Sequence, residues 1–141
     1  MEQARLLTLT EQPDRGNDGM ATLLPDGYQT VTPRIVARDA EGLVAFLRDV
    51  FGATGEFRAD LPSDVRFGEA LVMVSEAGPR EAMSACLYLY VDDADATYGR
   101  AMKAGATSLE EPLDTPYGDR RAMVRDGWGN TWQIATYRPV A

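Results

Sequence analysis

The chain contains an internal repeat, which restricts its fold more than any other feature of the sequence. The segment Arg34–Asp39 (RIVARD) leads into AEGLVAFLRDVFGAT, and the segment Tyr88–Asp93 (YLYVDD) leads into ADATYGRAMKAGAT. Each copy has an apolar strand, an aspartate, a helical segment and the tripeptide Gly-Ala-Thr in the same order. Because chance rarely produces this order twice, the sequence predicts two copies of one structural module.

Both helical segments have the residues expected at helix ends. Asp39 and Asp93 can accept backbone N–H groups as N-caps, and Gly52 and Gly105 can take the left-handed conformation after the last turn. Apolar residues recur in each segment at helical spacing. In the first segment they are Leu43, Phe46, Leu47, Val50 and Phe51. We therefore expect two amphipathic helices that pack on a sheet.

Strand-like stretches follow each helix and complete the modules. They are 55–60, 64–67 and 69–75 in the first copy, and 108–111, 120–125 and 131–137 in the second. This order is βαβββ twice, which predicts an α+β fold with helices and sheets in separate layers. The predicted organisation is a mobile N-terminal extension (1–27), a first module (28–75), a linker (76–85) and a second module (86–141), the modules forming one domain. Alternatively, the extension is an arm that packs on a partner subunit.

Composition narrows the classes of partner. No run of 18 apolar residues exists, which argues against a membrane span. The net charge of −8 argues against nucleic acid and favours a cationic ligand. The single cysteine cannot form an internal disulfide, and the N-terminus does not resemble a secretory signal. We therefore expect a cytoplasmic protein that binds neither nucleic acid nor membranes.

Three stretches resemble the vicinal oxygen chelate superfamily of glyoxalases, bleomycin-resistance proteins and extradiol dioxygenases, and in particular its small glyoxalase-like members. They are PDGYQTVTPRIVARDAEGLVAFLRDVFGA, LYLYVDDADATYGRAMKAGAT and GDRRAMVRDGWGNTWQIAT. The Asp-x-x-Gly-Asn turn at 126–130 is the most specific part. The resemblance implies that each module curls its strands into a half-barrel sheet around a cleft, with the helices on the outer face, and that ligands bind in this cleft.

The resemblance also implies a metal site, for which this chain lacks the ligands. The positions of the family's usual His, His and Glu ligands are occupied by Thr32, Cys86 and Gln133, and we take Val72 as the first-module counterpart of Gln133. The chain contains no histidine. A lone thiolate without imidazole or carboxylate partners makes a poor site for a divalent metal. We therefore expect no metal and no other cofactor.

Strand alternation predicts which side chains share the face of these positions. The predicted ligand-binding residues are Thr32, Arg34, Val72, Cys86, Tyr88, Tyr90, Trp128 and Gln133. The opposite face is assigned to the core beneath the helices, with Ile35, Leu71, Met73, Leu87, Leu89, Trp132 and Ile134.

Several of these residues also have simpler interpretations. The two tyrosines could merely pack, and Arg34 could pair with a neighbouring strand. Cys86 is expected to be a buried small residue rather than a nucleophile, because no histidine is present to deprotonate it. Trp128 could be an ordinary exposed turn aromatic or could contact a partner subunit.

The sequence favours a metal-free small-molecule binding protein of the bleomycin-resistance type, which sequesters an antibiotic or related metabolite. The expected ligand is a cationic or aromatic organic molecule, and the expected assembly is a homodimer. One alternative is a metal-independent isomerase, cyclase or lyase that uses the same cleft; no catalytic residue can be assigned. The others are a glyoxalase-like or dioxygenase-like metal enzyme with atypical ligands, or an interaction module without a small ligand.

Overall fold

A computed structural model describes residues 24–139 of the chain. The chain divides into two compact units, 1–33 and 34–141, and the second contains the helices and strands described here. The strands are β1 (Arg34–Ala37), β2 (Ser63–Phe67), β3 (Ala70–Glu76), β4 (Cys86–Tyr90), β5 (Thr107–Asp114), β6 (Arg120–Arg125) and β7 (Thr131–Thr136). The helices are α1 (Ala40–Phe51) and α2 (Ala94–Lys103). The predicted N-terminal extension lies mostly outside the described residues.

Both helices begin and end at the predicted residues. The carboxylate of Asp39 accepts the N–H of Gly42 at the start of α1, and that of Asp93 accepts the N–H of Ala96 at the start of α2. Beyond the last turns, Gly52 and Gly105 have φ angles of 69° and 101°, which suit glycine. Within the described part of the chain, no helix is long and apolar enough to cross a membrane.

An additional carboxylate stabilises the start of α1. Glu76, at the end of β3, accepts the N–H of Ala40 at 2.8 Å and that of Asp39 at 3.1 Å. These two bonds lower the pKa of Glu76, the bond from Ala40 being the larger cause. The first helix is thereby fastened to the neighbouring sheet as well as capped locally.

The strands form two open sheets, in the orders β1-β3-β2 and β4-β7-β6-β5. In each sheet the first strand pairs with the last in parallel, β1 with β3 and β4 with β7, and the remaining pairs are antiparallel. This arrangement confirms the α+β prediction and the repeat.

The first sheet has three strands where four were predicted. In place of a strand over 55–60 there is one isolated bridge between Thr54 and Arg66. Gly55 has a φ of 127°, outside the strand region, and a Cβ at this position would collide with the carbonyl oxygen of Asp64. The backbone conformation of Gly55 thus explains why the strand predicted from the repeat does not form.

Both helices pack on one face of the sheets and bury the core. Trp132 of β7 is 1% exposed and lies between Phe51 and Phe67, at centroid distances of 4.8 and 5.7 Å. The partly buried Leu87 and Leu89 of β4 pack against the same core. The predicted helix-side face of β4 and β7 is therefore confirmed.

The face predicted for β3 is wrong by one residue. The pairing of β1 with β3 aligns Arg34 with Met73 and Ile35 with Val74. Val72 and Val74 join Ile35 in the helix-side core, so the face of Arg34 carries Met73 rather than Val72. The stretch ALVMVS is apolar at almost every position, so alternation could not determine its register.

The turn between β6 and β7 is built around a buried carboxylate. Asp126 accepts the backbone N–H groups of Trp128 and Asn130 and the side-chain N–H groups of Asn130 and Trp132, with the shortest distance in each case between 2.8 and 2.9 Å. The side-chain oxygen of Asn130 in turn accepts the N–H of Ala85, next to β4. The Asp-x-x-Gly-Asn motif therefore has a structural role, because it ties the β6–β7 hairpin to β4.

Candidate ligand-binding site

The strand β4 presents two tyrosines on the face away from the helices. Tyr88 and Tyr90 are 39% and 58% exposed, whereas Leu87 and Leu89 point to the core. Cys86 alternates with the tyrosines and is also exposed. The register pairs Tyr88 with Gln133 of β7, which is partly buried. The sheet thus brings together Cys86, Tyr88, Tyr90 and Gln133 as predicted, although the expected burial of Cys86 is wrong.

A buried aspartate lies beneath the two rings. Asp119 comes just before β6 and is 3% exposed. Its Oδ2 atom accepts the hydroxyls of both Tyr88 and Tyr90, each at 2.9 Å. Its backbone is fixed by Thr115, whose N–H and hydroxyl both donate to the Asp119 carbonyl at 2.8 Å. The carboxylate is therefore held in place before any ligand arrives.

A second chain of contacts reaches the same tyrosines from β5 and β6. The hydroxyl of Tyr117 lies 3.1 Å from that of Tyr88 and accepts Nη1 of Arg121 at 2.9 Å. Arg121 also binds the carboxylate of Glu110 in a two-pronged contact, with the shorter Nε–Oε1 distance at 3.0 Å. The bond to Glu110 is the main cause that raises the pKa of Arg121. The positive charge of Arg121 is thus paired within the cluster.

The environment holds the phenol protons in place. Burial, followed by the bonds to Tyr117 and Asp119, raises the pKa of Tyr88 well above its usual value. The bond to Asp119 is the largest cause that raises the pKa of Tyr90. Both hydroxyls are therefore neutral at physiological pH, and neither is prepared to act as a base.

The rings form a continuous aromatic surface. Tyr88 and Tyr90 have centroids 5.3 Å apart, and Tyr90 meets Tyr137 edge-on at 6.5 Å. We call Tyr88, Tyr90, Tyr117 and Tyr137, together with Asp119, the tyrosine face.

Two grooves border Tyr90. One of about 360 Å³ is lined by Tyr90, Val91, Asp92, Thr136 and Tyr137. Another of about 550 Å³ runs from Tyr90 to Phe51 at the end of α1 and Arg100 of α2. The tyrosine face therefore adjoins open space that could accommodate a small organic molecule.

Arg34, Val72 and Trp128 do not join this cluster. The Nε atom of Arg34 donates to Ser75 of β3 at 3.0 Å, and Val72 belongs to the core. Trp128 packs on Phe46 of α1, with centroids 5.8 Å apart, so it serves the helix side of the sheet. Thr32 belongs to the unit 1–33, where its hydroxyl donates to the carbonyl of Gln29 at 3.4 Å.

Sequence reasoning missed Asp119, Tyr117 and Arg121. The faces of β4 and β7 were predicted from alternation, but that of β6 was not. Asp119, Arg121 and Met123 are spaced two residues apart, so their side chains point to the same face. Extending the pattern along β6 would have placed Asp119 and Arg121 beside the tyrosines. The position of Tyr117, in the turn before β6, has no comparable signal.

The residues at the metal positions implied by the resemblance do not fit a divalent metal. Gln133 offers an amide, whose N–H donates to the sulfur of Met123 at 3.4 Å, and Cys86 offers one thiol. The register makes the thioether of Met73 the first-module counterpart of Gln133. Across residues 24–139, no three His, Cys, Asp or Glu side chains are grouped to hold a metal ion. We therefore derive no step that involves a metal.

Comparisons with known proteins agree with this fold. The chain is 28% identical over 122 residues to the uncharacterized protein Rv0887c of Mycobacterium tuberculosis, covering 74% of this chain and 72% of that protein. It is similarly 28% identical to the uncharacterized protein Mb0911c of Mycobacterium bovis, covering 74% of this chain and 80% of the relative.

Solved structures show the same architecture. TioX from Micromonospora sp. ML1 superposes with a TM-score of 0.66 at 24% identity, covering 77% of this chain and 98% of that one. A glyoxalase/bleomycin resistance protein/dioxygenase family enzyme from Burkholderia phytofirmans PsJN superposes with a TM-score of 0.63 at 23% identity, covering 74% and 95%. Identities this low establish the fold alone.

A family model matches residues 28–134, which include the first module, most of the second and most of the tyrosine face. The chain therefore belongs to the glyoxalase/bleomycin resistance protein/dioxygenase superfamily.

Proposed function

We propose that this protein binds a small organic molecule on the tyrosine face and sequesters it unchanged, in the manner of a bleomycin-resistance protein. The ligand we propose is an antibiotic or a related metabolite in the cytoplasm. The observation that carries the proposal is the buried carboxylate of Asp119, which fixes the exposed rings of Tyr88 and Tyr90 through two bonds of 2.9 Å. Exposed aromatic rings held rigidly offer contact area at little cost in conformational entropy.

The chemistry of the cluster supports binding more than catalysis. The raised pKa values of Tyr88 and Tyr90 leave both hydroxyls protonated, and Oδ2 of the carboxylate beneath them already accepts a hydrogen bond from each. The hydroxyls of Tyr88 and Tyr90 therefore do not act as bases toward a ligand. The residues implied as metal ligands do not fit a metal, and we propose that the protein works without one.

The test measures binding and ligand integrity together. The full chain would be titrated by calorimetry with compounds from biosynthetic clusters that neighbour its gene, and the recovered ligand examined by mass spectrometry. A stacked ring contributes roughly 0.5–1.5 kcal/mol beyond burial. Replacing both Tyr88 and Tyr90 with Ala should therefore weaken binding at least about tenfold.

The matched control is Tyr98→Phe. The Tyr98 hydroxyl bonds Ser108 at 2.8 Å and is not part of the tyrosine face, so binding should not change. If the ligand is recovered chemically altered, the protein is a metal-independent enzyme rather than a sequestering protein. Unchanged affinity in the double variant would place the ligand elsewhere and refute the proposed site.

A further inference from the structure

The hydrogen bonds of the tyrosine face determine where its hydroxyl protons point. A phenol has one proton, and an ionised carboxylate can only accept hydrogen bonds. Tyr88 and Tyr90 both donate to Oδ2 of Asp119, at 2.9 Å each. Both protons are therefore directed inward, toward the buried carboxylate.

The same reasoning fixes the direction of the bond between Tyr117 and Tyr88. Arg121 has only donors, so the Tyr117 oxygen accepts its Nη1 at 2.9 Å. Because the proton of Tyr88 is committed to Asp119, Tyr117 must be the donor in the 3.1 Å contact between the two hydroxyls. Tyr117 thus donates to Tyr88, and Tyr88 and Tyr90 both donate to Asp119, so all three hydroxyl protons point toward this carboxylate.

The hydroxyls of Tyr88 and Tyr90 can therefore offer a ligand only acceptors. The Tyr90 oxygen keeps its lone pairs and has no proton to offer, while the ring faces of Tyr90 and Tyr137 carry the negative side of an aromatic quadrupole. Arg121, the cation in the cluster, is paired with Glu110. Asp92, which lines the groove between Tyr90 and Tyr137, makes no ion pair among the described residues. The surroundings therefore favour positive charge.

We propose that the tyrosine face selects organic cations that carry N–H donors, such as primary ammonium or amidinium groups, and rejects carboxylates. This assignment rests on the proposed function and adds the chemical class of the ligand. The N–H groups would donate to the Tyr90 oxygen and to Asp92, with the aromatic part of the ligand against Tyr90 and Tyr137. The groove of about 360 Å³ admits a molecule with one or two rings.

The experiment compares four probes of equal ring size on the full chain: benzamidine, benzylamine, benzyltrimethylammonium and benzoate. Binding would be followed by titration in NMR, with perturbed tyrosine ring resonances, assigned by Tyr→Phe variants, locating the site. Benzamidine and benzylamine should bind, and the quaternary ammonium should bind about tenfold more weakly because it has no N–H to donate. Benzoate should show no saturable perturbation.

Two variants test the acceptor role of the hydroxyls. Tyr90→Phe keeps the ring but removes the oxygen, so the preference for benzylamine over its quaternary analogue should shrink to what the bond to Asp92 supplies, while the quaternary affinity stays the same. Asp119→Asn removes the charge and lets a tyrosine proton turn outward, so the affinity for benzoate should rise several-fold relative to the affinity for benzamidine. Tyr90→Phe alone suffices if Asp119→Asn does not fold. The control Tyr98→Phe should retain the wild-type preference.

The outcomes separate this inference from the proposed function. Binding of benzoate at the tyrosine face with equal or higher affinity would overturn the inference but retain the face as a ligand site. Equal affinity for the quaternary and primary amines would also overturn it, since N–H donation would then contribute nothing. If none of the four probes perturbs the tyrosine face, both the inference and the site are contradicted.

Discussion

The hydroxyl of Tyr90 donates to Oδ2 of Asp119 at 2.9 Å, so a residue 58% exposed is fixed by one that is 3% exposed. Tyr90 is the last residue of β4, and Asp119 directly precedes β6 in the same sheet. Because Tyr88 donates to the same oxygen, a single carboxylate orients both rings. Rigid aromatic side chains at the surface follow from this arrangement, and its consequences can be measured.

The first prediction concerns the ionisation of these tyrosines. In a spectrophotometric titration, Tyr88 and Tyr90 should ionise above the usual value of about 10 because their pKa values are raised. Asp119→Asn should lower the pKa of Tyr90 more than that of Tyr88. For Tyr90 the bond to Asp119 is the largest cause, whereas for Tyr88 burial is. A variant in which neither pKa moves would show that Asp119 does not bind the hydroxyls.

The same shifts set the sign of a change in stability with pH. A phenol whose pKa is raised in the folded state keeps its proton there, while the unfolded chain loses it above about pH 10. The stability that this difference in pKa contributes is complete below that pH, and it is lost as the pH rises toward the pKa of the folded state. The free energy of unfolding measured in urea should therefore fall above about pH 10, and it should fall more steeply for the wild type than for the double variant Tyr88→Phe, Tyr90→Phe.

The second prediction concerns the buried carboxylate of the β6–β7 turn. Asp126→Ala should lower the free energy of unfolding by about 3 kcal/mol or more, because it leaves the buried N–H groups of Asn130 and Trp132 without their acceptor. Asp114→Ala is the control. Asp114 pairs with Arg120 and Arg138, but its side chain is 68% exposed, so the loss should stay within about 1 kcal/mol. Equal losses in the two variants would contradict the structural role of the turn.

Two glycines provide the third prediction, with opposite signs. Gly55→Ala should destabilise the fold by more than about 1 kcal/mol, because φ is 127° and the new Cβ would collide with the Asp64 carbonyl. Gly99→Ala, in the middle of α2, should stabilise it by about 0.5–1 kcal/mol, because nothing lies within 4 Å of the new Cβ and alanine favours helix. Thermal unfolding of both variants gives the comparison, and a neutral Gly55→Ala would remove the explanation for the missing strand.

The sequence predicted what depends on local signals. The N-caps Asp39 and Asp93 and the glycines after each helix act within a few residues, so both helices were found. The alternation in CLYLY has one apolar and one polar face, so Tyr88 and Tyr90 were placed correctly.

What was missed depends on contacts between distant residues. Val72 was misplaced because its strand is apolar on both faces, so only the pairing with β1 reveals the register. Asp119 is separated from Tyr88 by 31 positions, and no local pattern indicates that an acidic residue in a turn will be buried under two rings.

The fourth prediction concerns assembly. The sheet β4-β7-β6-β5 has a helix packed on one face, while the other exposes Tyr88, Tyr90 and Tyr117 at 39%, 58% and 54%. Exposed aromatic patches of this kind mark interaction surfaces. A second copy of the chain could cover the patch across a two-fold axis and still leave a ligand between the sheets. We therefore expect a homodimer, with a sedimentation mass about twice the chain mass of 15.4 kDa at micromolar concentration.

A charge-introducing variant locates the interface. Tyr117→Glu places a carboxylate in the patch and near Asp119, so it should shift the equilibrium toward the single chain. Glu41→Arg on the exposed surface of α1 is the matched control and should leave the mass unchanged. A wild-type mass of one chain would refute the dimer. A dimer that persists in Tyr117→Glu would instead place the interface away from the tyrosine face, and the ligand would then bind on an open surface of each chain.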